Sequence, residues 1–123
     1  MISKVNLHDA FRKFDEYYDP KIAGQINDMY LKLVKFRGEF TWHHHKNEDE
    51  LFLVNKGKFT MKLRTGDIEV CENEFIIVPR GVEHCPYAEN ECSVILLEPK
   101  TTLNTGNVRN ELTRTSLETL GSK

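Results

Sequence analysis

Three consecutive histidines with a glutamate close behind form the stretch of this sequence best suited to chemistry. His43 and His45 are two residues apart, so on an extended strand their side chains share one face, while His44 points to the other. Two residues of strand separate their Cα atoms by roughly 6.6 Å. Imidazoles at that separation can reach one metal ion through bonds of about 2.0–2.1 Å. A turn at residues 46–47 then allows Glu50, which begins the next strand, to supply a third ligand.

A further histidine follows a second strand and turn. Residues 75–81 form an apolar strand that ends in a Pro-x-Gly turn, and His84 comes next, on the following strand. Of the remaining histidines, His44 lies on the opposite face and His8 lies in a predicted helix.

Each of these features also has a simpler explanation. The three adjacent histidines could form a solvated cluster, and His84 could be a core histidine whose hydrogen bonds are satisfied. The chain could also keep this pattern without binding metal. We favour the metal site because Glu50 follows the histidines at a spacing that returns its carboxylate to them.

The segments that must position these residues are predicted to be strands. From Ala23 onward the apolar pattern has a period of two, most clearly over residues 58–64 and 68–71. Residues 75–78 and 94–97 are apolar on both faces, so we expect them in central or interface strands. Turn residues separate the strands at 37–38, 55–57, 65–67, 72–73, 79–81 and 89–90. Short strands at this spacing indicate an antiparallel sandwich or barrel.

The N-terminal residues predict a helix. Apolar side chains recur at spacings of three and four between residues 6 and 18, which makes one apolar stripe. Asn6 is suited to cap this helix at its start and Pro20 to end it. We expect the helix to pack on the outside of the barrel or on a partner subunit.

These elements divide the chain into three segments. Residues 1–22 form the N-terminal helix and lead-in, residues 23–99 the barrel, and residues 100–123 a polar C-terminal tail rich in threonine and asparagine. Three leucines of the tail could anchor a short helix or an extended tail: Leu112, Leu117 and Leu120.

Composition narrows the classes of partner. The chain has 123 residues and a formal net charge of −2, which excludes a broad basic surface and makes nucleic acid an improbable partner. No apolar run approaches the roughly 20 residues of a membrane span, and the N-terminus lacks the apolar region of a secretory signal. The cysteines are odd in number and show no metal-type spacing, which predicts a reducing compartment and a cytoplasmic protein.

Together the two histidine-containing stretches resemble the two motifs of the cupin superfamily, in particular small single-domain cupins of the cupin 2 type. The first motif is His-x-His, four residues, Glu, six residues and Gly, and it falls on His43, His45, Glu50 and Gly57. The second is Pro-x-Gly, two residues and His, and it falls on Pro79, Gly81 and His84. With the flanking strands, the resemblance covers about residues 23–99.

The sequence departs from the cupin pattern at three positions. Four residues lie between Gly38 and His43 where the usual gap is five, and Asn73 stands where the second motif usually has glycine. Asparagine tolerates a left-handed turn, so that change is a mild one. Ala88 replaces an asparagine of uncertain role and leaves the four candidate ligands intact.

The resemblance implies an all-β fold, a single jelly-roll antiparallel barrel preceded by the N-terminal α-helix. It also implies one divalent metal ion bound by His43, His45, Glu50 and His84, and a homodimer. Three imidazoles and one carboxylate suit Mn, Fe, Co, Ni or Zn without choosing among them.

Two functions compete at this stage. The first is a metal-dependent enzyme, of isomerase, decarboxylase or oxygenase type, that acts on a small polar metabolite. The second is a non-catalytic sensor or binding module for a small molecule, and a purely structural, metal-free dimer is a third alternative. The sequence names no catalytic residue and no organic cofactor site. Thr41, on the same strand face as His43, is one candidate for a second polar group near the metal.

Overall fold

One short helix and seven antiparallel strands make up the computed structural model, which describes residues 2–121. In chain order they are α1 (Leu7–Phe11), β1 (Lys21–Ile26), β2 (Met29–Glu39), β3 (Glu50–Lys56), β4 (Lys58–Leu63), β5 (Ile68–Cys71), β6 (Phe75–Val78) and β7 (His84–Pro99). The predicted all-β jelly-roll barrel with an N-terminal helix is thereby confirmed. None of the described helices is long and apolar enough to cross a membrane.

The 16-residue strand β7 organises the sheet. It pairs along its length with β2, and it also pairs with β3 through its C-terminal half and with β4 through its N-terminal end. β1 and β6 form the two ends of the main path, in the order β1-β2-β7-β3-β6, and β5 pairs with β4. All named strand pairs are antiparallel.

Two of the predicted turns lie inside strands. Glu89 and Asn90 belong to β7, and Arg37 and Gly38 belong to β2, so the predictions of chain reversals at these positions were wrong. The β2–β7 register shifts between Phe36 and Gly38, and Gly38 has a φ of 77°. The turn-forming residues here lie at a β-bulge, where the strand bends without ending.

The N-terminal helix is shorter than predicted. Asn6 caps it, as expected, by accepting a hydrogen bond from the Asp9 amide at 3.0 Å, but the helix ends at Phe11 and not at residue 18. The periodic aromatic residues beyond it serve tertiary packing instead. Phe14 joins an outer apolar cluster, and Tyr18, with a φ of 55°, inserts into the barrel core.

Strand β2 separates two apolar clusters because its side chains alternate between faces. Leu33 packs outside the barrel with Phe11 and Phe14, which confirms that the helix lies on the outer surface. Val34 and Phe36 point into the barrel. The inner cluster also includes Phe52, Val54, Phe59, Met61, Val70, Val78, Ala88, Cys92, Val94 and Leu96.

The two segments that were expected in central or interface strands behave differently. Residues 94–97 lie in β7 between β2 and β3, as expected for a central strand. Strand β6 instead ends the main sheet path, and its Phe75 and Ile77 are 59% and 56% exposed. Its position is therefore an edge, and the outer face of that edge is apolar.

The C-terminal tail folds back onto the barrel without forming a helix over residues 100–121. Near its end, Thr119 forms an isolated parallel bridge with Ile22 of β1, and Leu120 packs against the outer cluster. Thr102 and Thr105 are buried. The tail is therefore an integral layer of the fold.

Candidate metal centre

The four residues singled out in the two motifs come together inside the barrel. The nitrogen and oxygen atoms that His43, His45, Glu50 and His84 offer as ligands all lie within 4.8 Å of one another. Each of the four residues is at most 4% exposed. A cluster of this composition, removed from water, is compatible with metal binding.

Two of the four side chains are fixed by the sheet. Glu50 is the first residue of β3 and His84 the first of β7. The segment that carries His43 and His45 was predicted as an extended strand, but within it only His43 forms a bridge, with His84. The His45 carbonyl accepts a hydrogen bond from the Gly81 amide at 2.7 Å. The two histidines nevertheless share one side, with ring centroids 4.9 Å apart.

Backbone carbonyls set the orientation of two of the rings. Nδ1 of His43 lies 2.8 Å from the Thr41 carbonyl oxygen, and Nδ1 of His84 lies 2.8 Å from that of Val82. A carbonyl oxygen only accepts, so the proton of each neutral ring sits on Nδ1. Nε2 of each ring then turns a lone pair toward the cluster, the arrangement typical of metal-ligating histidine.

Acceptor atoms face one another at the centre of the cluster. Nε2 of His84 lies 3.2 Å from Oε1 of Glu50. Nε2 of His45 lies 3.0 Å from the same oxygen but is not aligned for a hydrogen bond, and it has no hydrogen-bond partner within residues 2–121. Acceptors this close need a cation between them, either a proton or a metal ion. The set of ligand atoms therefore fits a divalent cation.

The protonation states also favour a cation. Burial, together with the neighbouring His84 ring, lowers the pKa of His43 to about 4, so this imidazole is neutral at pH 7. Burial alone would raise the pKa of Glu50, but the neighbouring Glu98, His45 and His84 side chains outweigh it and lower that pKa well below 4.5. The centre thus presents a neutral ring and a carboxylate.

A buried ion pair lies beside Glu50, and it was not predicted from the sequence. Nζ of Lys32 lies 2.5 Å from Oε2 of Glu98, and both side chains are 1% exposed. Oε1 of Glu98 is buried and has no hydrogen-bond partner among residues 2–121. Burial and the charge of Glu50 raise the pKa of Glu98 well above 4.5, and the charge of Lys32 opposes this rise.

A small cavity adjoins the cluster on the side of His43 and Glu50. Its volume is about 30 Å³. Most of its walls are apolar, and its polar lining residues other than His43 and Glu50 are Tyr18, Glu98 and Asn104. Thr41, the predicted second polar group, is not among the lining residues; its carbonyl orients His43 instead.

Comparison with known proteins identifies the family. Residues 32–98, more than half of the chain, match the family model described as the cupin domain of the Cupin_2 family. The chain belongs to the cupin family. This match covers all four clustered residues, and it leaves the N-terminal helix and the C-terminal tail outside.

Solved structures and a curated relative agree with this assignment. This cupin is similar to a cupin-2 domain-containing protein from Shewanella frigidimarina, with 38% identity, a TM-score of 0.77, and coverage of 78% of this chain and 94% of that one. A protein from Neisseria meningitidis is 29% identical, with a TM-score of 0.73 and coverage of 80% and 100%. The uncharacterized protein YdbB of Bacillus subtilis is 34% identical over 61 residues, which are 49% of this chain and 54% of the relative. The chain thus spans about half the length of the curated relative that it matches.

Proposed function

We propose that this cupin binds one divalent metal ion through His43, His45, Glu50 and His84 and is a metal-dependent enzyme for a small polar metabolite. The observation that supports this most directly is the buried Nε2 of His45, which lies 3.0 Å from Oε1 of Glu50 and has no hydrogen-bond partner within residues 2–121. The bound ion would act as a Lewis acid on a ligand oxygen or acidify a water molecule.

The residues of the chain perform the other tasks that such a site requires. The Thr41 and Val82 carbonyls hold two imidazoles in the ligating tautomer. Aromatic side chains such as Phe40 and Phe52 line the cavity with apolar surface. Glu98 stands beside Glu50 and is itself paired with Lys32.

The ligand set suits Mn, Fe, Co, Ni or Zn. Structural zinc sites are usually closed and rich in cysteine. The cysteines Cys71, Cys85 and Cys92 are absent from the cluster, which supports a working site over a structural one.

A non-catalytic binding module is the second candidate, and one observation favours it. The Tyr18 hydroxyl donates to the Gly38 carbonyl at 2.6 Å. Both polar ends of the Asn104 side chain are bonded to the backbone of the tail. Two of the polar side chains that line the cavity are therefore already occupied, which leaves few groups free for acid–base chemistry.

Metal content tests the first half of the proposal. We expect protein purified without a tag and loaded with Co²⁺ or Mn²⁺ to hold about one ion per chain, measured by elemental analysis after desalting. His84→Gln is expected to lose most of this metal. His44→Ala is the matched control, because His44 stands beside the same ligands but outside the cluster, and it should retain full stoichiometry. Equal loss in both variants would contradict the assigned ligands.

Turnover separates the enzyme from the binding module. Fully loaded wild type is tested against a panel of sugars, keto acids, phenols and thiols, and any substrate found is then tested with Glu50→Gln. The enzyme hypothesis predicts conversion by wild type and a large loss in the variant, since Glu50 brings the negative charge of the ligand set. Binding without conversion across the panel would favour the binding module.

We also propose that the protein is a cytoplasmic homodimer. The apolar outer face of the β6 edge, with Phe75 and Ile77 exposed, is suited to burial against a second copy. The three cysteines are free, which fits a reducing compartment. Sedimentation at micromolar concentration is expected to give particles of twice the 14.3 kDa chain mass, and the Phe75→Ser variant should shift them toward monomer.

A further inference from the structure

The backbone that carries His43 and His45 has hydrogen-bonding neighbours on two sides. One side bonds to the strand that begins at His84, as described above. The other side bonds to a single residue of the tail: the His44 amide donates to Oδ1 of Asn107 at 2.9 Å, and the Asn107 amide donates to the His44 carbonyl at 3.1 Å. Asn107 thereby offers one donor and one acceptor, as a residue of a neighbouring strand would.

Gly106 makes this contact sterically feasible. Its backbone lies against His44 with a φ of 56°, and a Cβ atom at this position would stand 2.2 Å from the His44 carbonyl oxygen and 3.1 Å from Cδ2 of His43. The first of these neighbours is backbone and the second belongs to a candidate ligand ring. A side chain at position 106 would therefore displace the histidine segment itself.

The tail around Asn107 is braced by its own hydrogen bonds. The Thr105 hydroxyl, which is fully buried, donates to the Val108 carbonyl at 2.6 Å and lies 2.7 Å from the Thr113 hydroxyl. The Asn104 side chain bonds to the backbone of Leu112 and Arg114, at 2.9 Å in both cases. Asn107 thus stands on an internally bonded loop that is able to hold the position of another segment.

We propose that Asn107 is a positioning residue of the metal centre, which holds the His43–His45 segment against the strand of His84. This inference rests on the proposed metal site and extends it to the tail, which lies beyond the family match at residues 32–98. Glu50 and His84 begin regular strands, whereas the histidine segment has one bridge and depends on the tail for its second neighbour. Without that neighbour the segment can move outward, and the two imidazoles move with it.

Variants of Asn107 in the full-length protein test this role. Asn107→Ala removes the acceptor, and Asn107→Asp keeps a carboxylate oxygen in its place. Asn110→Ala is the matched control, because Oδ1 of Asn110 also accepts a backbone hydrogen bond at 2.9 Å, from the Leu112 amide, at a distance from the histidines. The readouts are the Co²⁺ dissociation constant from competition with a chelator, the visible absorption of bound Co²⁺, and hydrogen exchange of the His44 amide in metal-free protein.

We expect Asn107→Ala to weaken Co²⁺ binding by about 10- to 100-fold, as loss of an outer-shell partner typically does, and to alter the visible spectrum. The His44 amide should exchange faster in this variant. Asn107→Asp and Asn110→Ala should keep the wild-type spectrum, slow exchange at His44, and an affinity within about threefold of wild type.

Each other result bears on a distinct claim. If the wild type binds metal and Asn107→Ala shows the same affinity, spectrum and exchange rate, the positioning role is overturned. The metal site itself would still stand. Equal weakening in Asn110→Ala and Asn107→Ala would reduce the effect to tail stability and also overturn the role. Failure of the wild type to bind Co²⁺ or any other divalent ion would overturn the proposed function, and the positioning role with it.

Discussion

The interior of this barrel contains two regions that are equally buried but held together by different forces. The apolar region centres on Phe59, with Phe36 at 5.1 Å in an edge-to-face arrangement and Phe52 at 6.1 Å between ring centroids. The polar region consists of the histidine–glutamate cluster and the pair of Lys32 and Glu98. Phe52 joins the two, since its ring centroid lies 6.1 Å from that of His84.

The two regions differ in the conditions under which they stabilise the fold. Burial of the apolar side chains stabilises the fold whatever ions or protons are present. The polar region is stable only if each buried charge and lone pair has a partner, so its contribution varies with pH and with metal. We therefore expect one region to hold the shape of the barrel and the other to respond to protons and to the proposed metal ion, and substitutions can separate the two.

The largest effect on the free energy of unfolding is expected from a substitution in the apolar region. Phe59→Ala should lower the free energy of unfolding by about 3–5 kcal/mol, because it leaves a cavity among packed rings. Denaturation by urea in the presence of a chelator measures this loss, and the surviving folded protein should still bind one metal ion. Ile26→Ala, at an exposed position of β1, is the matched control and should cost less than about 1 kcal/mol. Similar losses in both variants would contradict the assigned core.

In the polar region, the largest effect is expected from removing one member of the buried ion pair. Lys32→Met should lower the free energy of unfolding by about 3 kcal/mol, because it leaves Glu98 beside Glu50 without its cation. Adding Glu98→Gln to Lys32→Met should recover part of this loss.

An exposed ion pair provides the control for that prediction. Lys58 and Glu69 lie 3.4 Å apart with side chains 68% and 57% exposed, so Lys58→Met should cost less than about 1 kcal/mol. Urea denaturation at pH 7 measures all of these variants. A Lys32→Met loss no larger than that of Lys58→Met would mean that the buried pair does not stabilise the polar region.

Stability of the metal-free protein should fall with acid because His43 is buried in its neutral form. Its pKa drops from an ordinary 6.5 to about 4 on folding, so between these values the unfolded chain binds more protons than the folded one. This contribution is absent above pH 6.5 and should reach about 2–3 kcal/mol of destabilisation by pH 4.5. His43→Asn should flatten the dependence over this range, measured by urea denaturation with a chelator. A slope as steep in the variant as in wild type would assign the effect to other groups.

Sequence reasoning could predict the site largely because its information is local. His43 and His45 share a side through residue parity, and Glu50 returns to them through one turn. The same parity argument placed His44 outside the cluster. Alternation likewise predicted β5 at residues 68–71, and apolar side chains on both faces predicted a central or interface strand at residues 94–97, which is central.

What could not be predicted depends on contacts distant in sequence. Lys32 looks like a solvent-facing residue of an alternating strand, and its burial follows from pairing with Glu98, 66 residues away. The apolar stripe continues past the end of α1, but its residues Phe14 and Tyr18 pack in two different clusters. Helical periodicity alone does not reveal that the stripe divides between these clusters. The role of Asn107 likewise depends on the path by which the tail returns to the barrel.

The smallest effect is expected at the boundary between the two regions, where Tyr18 packs in the apolar cluster and also lines the cavity. Burial raises the pKa of Tyr18, so its hydroxyl stays protonated and donates to the Gly38 carbonyl at 2.6 Å. Tyr18→Phe keeps the stacked ring but leaves that carbonyl without this donor, which should cost about 1 kcal/mol of unfolding free energy.

Tyr17→Phe is the matched control for this last substitution. The Tyr17 hydroxyl bonds to the exposed Glu91 carboxylate at 2.8 Å, where water can replace it, so the variant should lose less than about 0.5 kcal/mol. Urea denaturation with a chelator measures both variants. Because Tyr18 lines the cavity but supplies none of the four candidate ligands, Tyr18→Phe should leave the Co²⁺ dissociation constant unchanged. Weaker metal binding in this variant would show that the two regions are coupled through Tyr18, and the distinction between a shape-holding and a ligand-responsive region would then fail at their boundary.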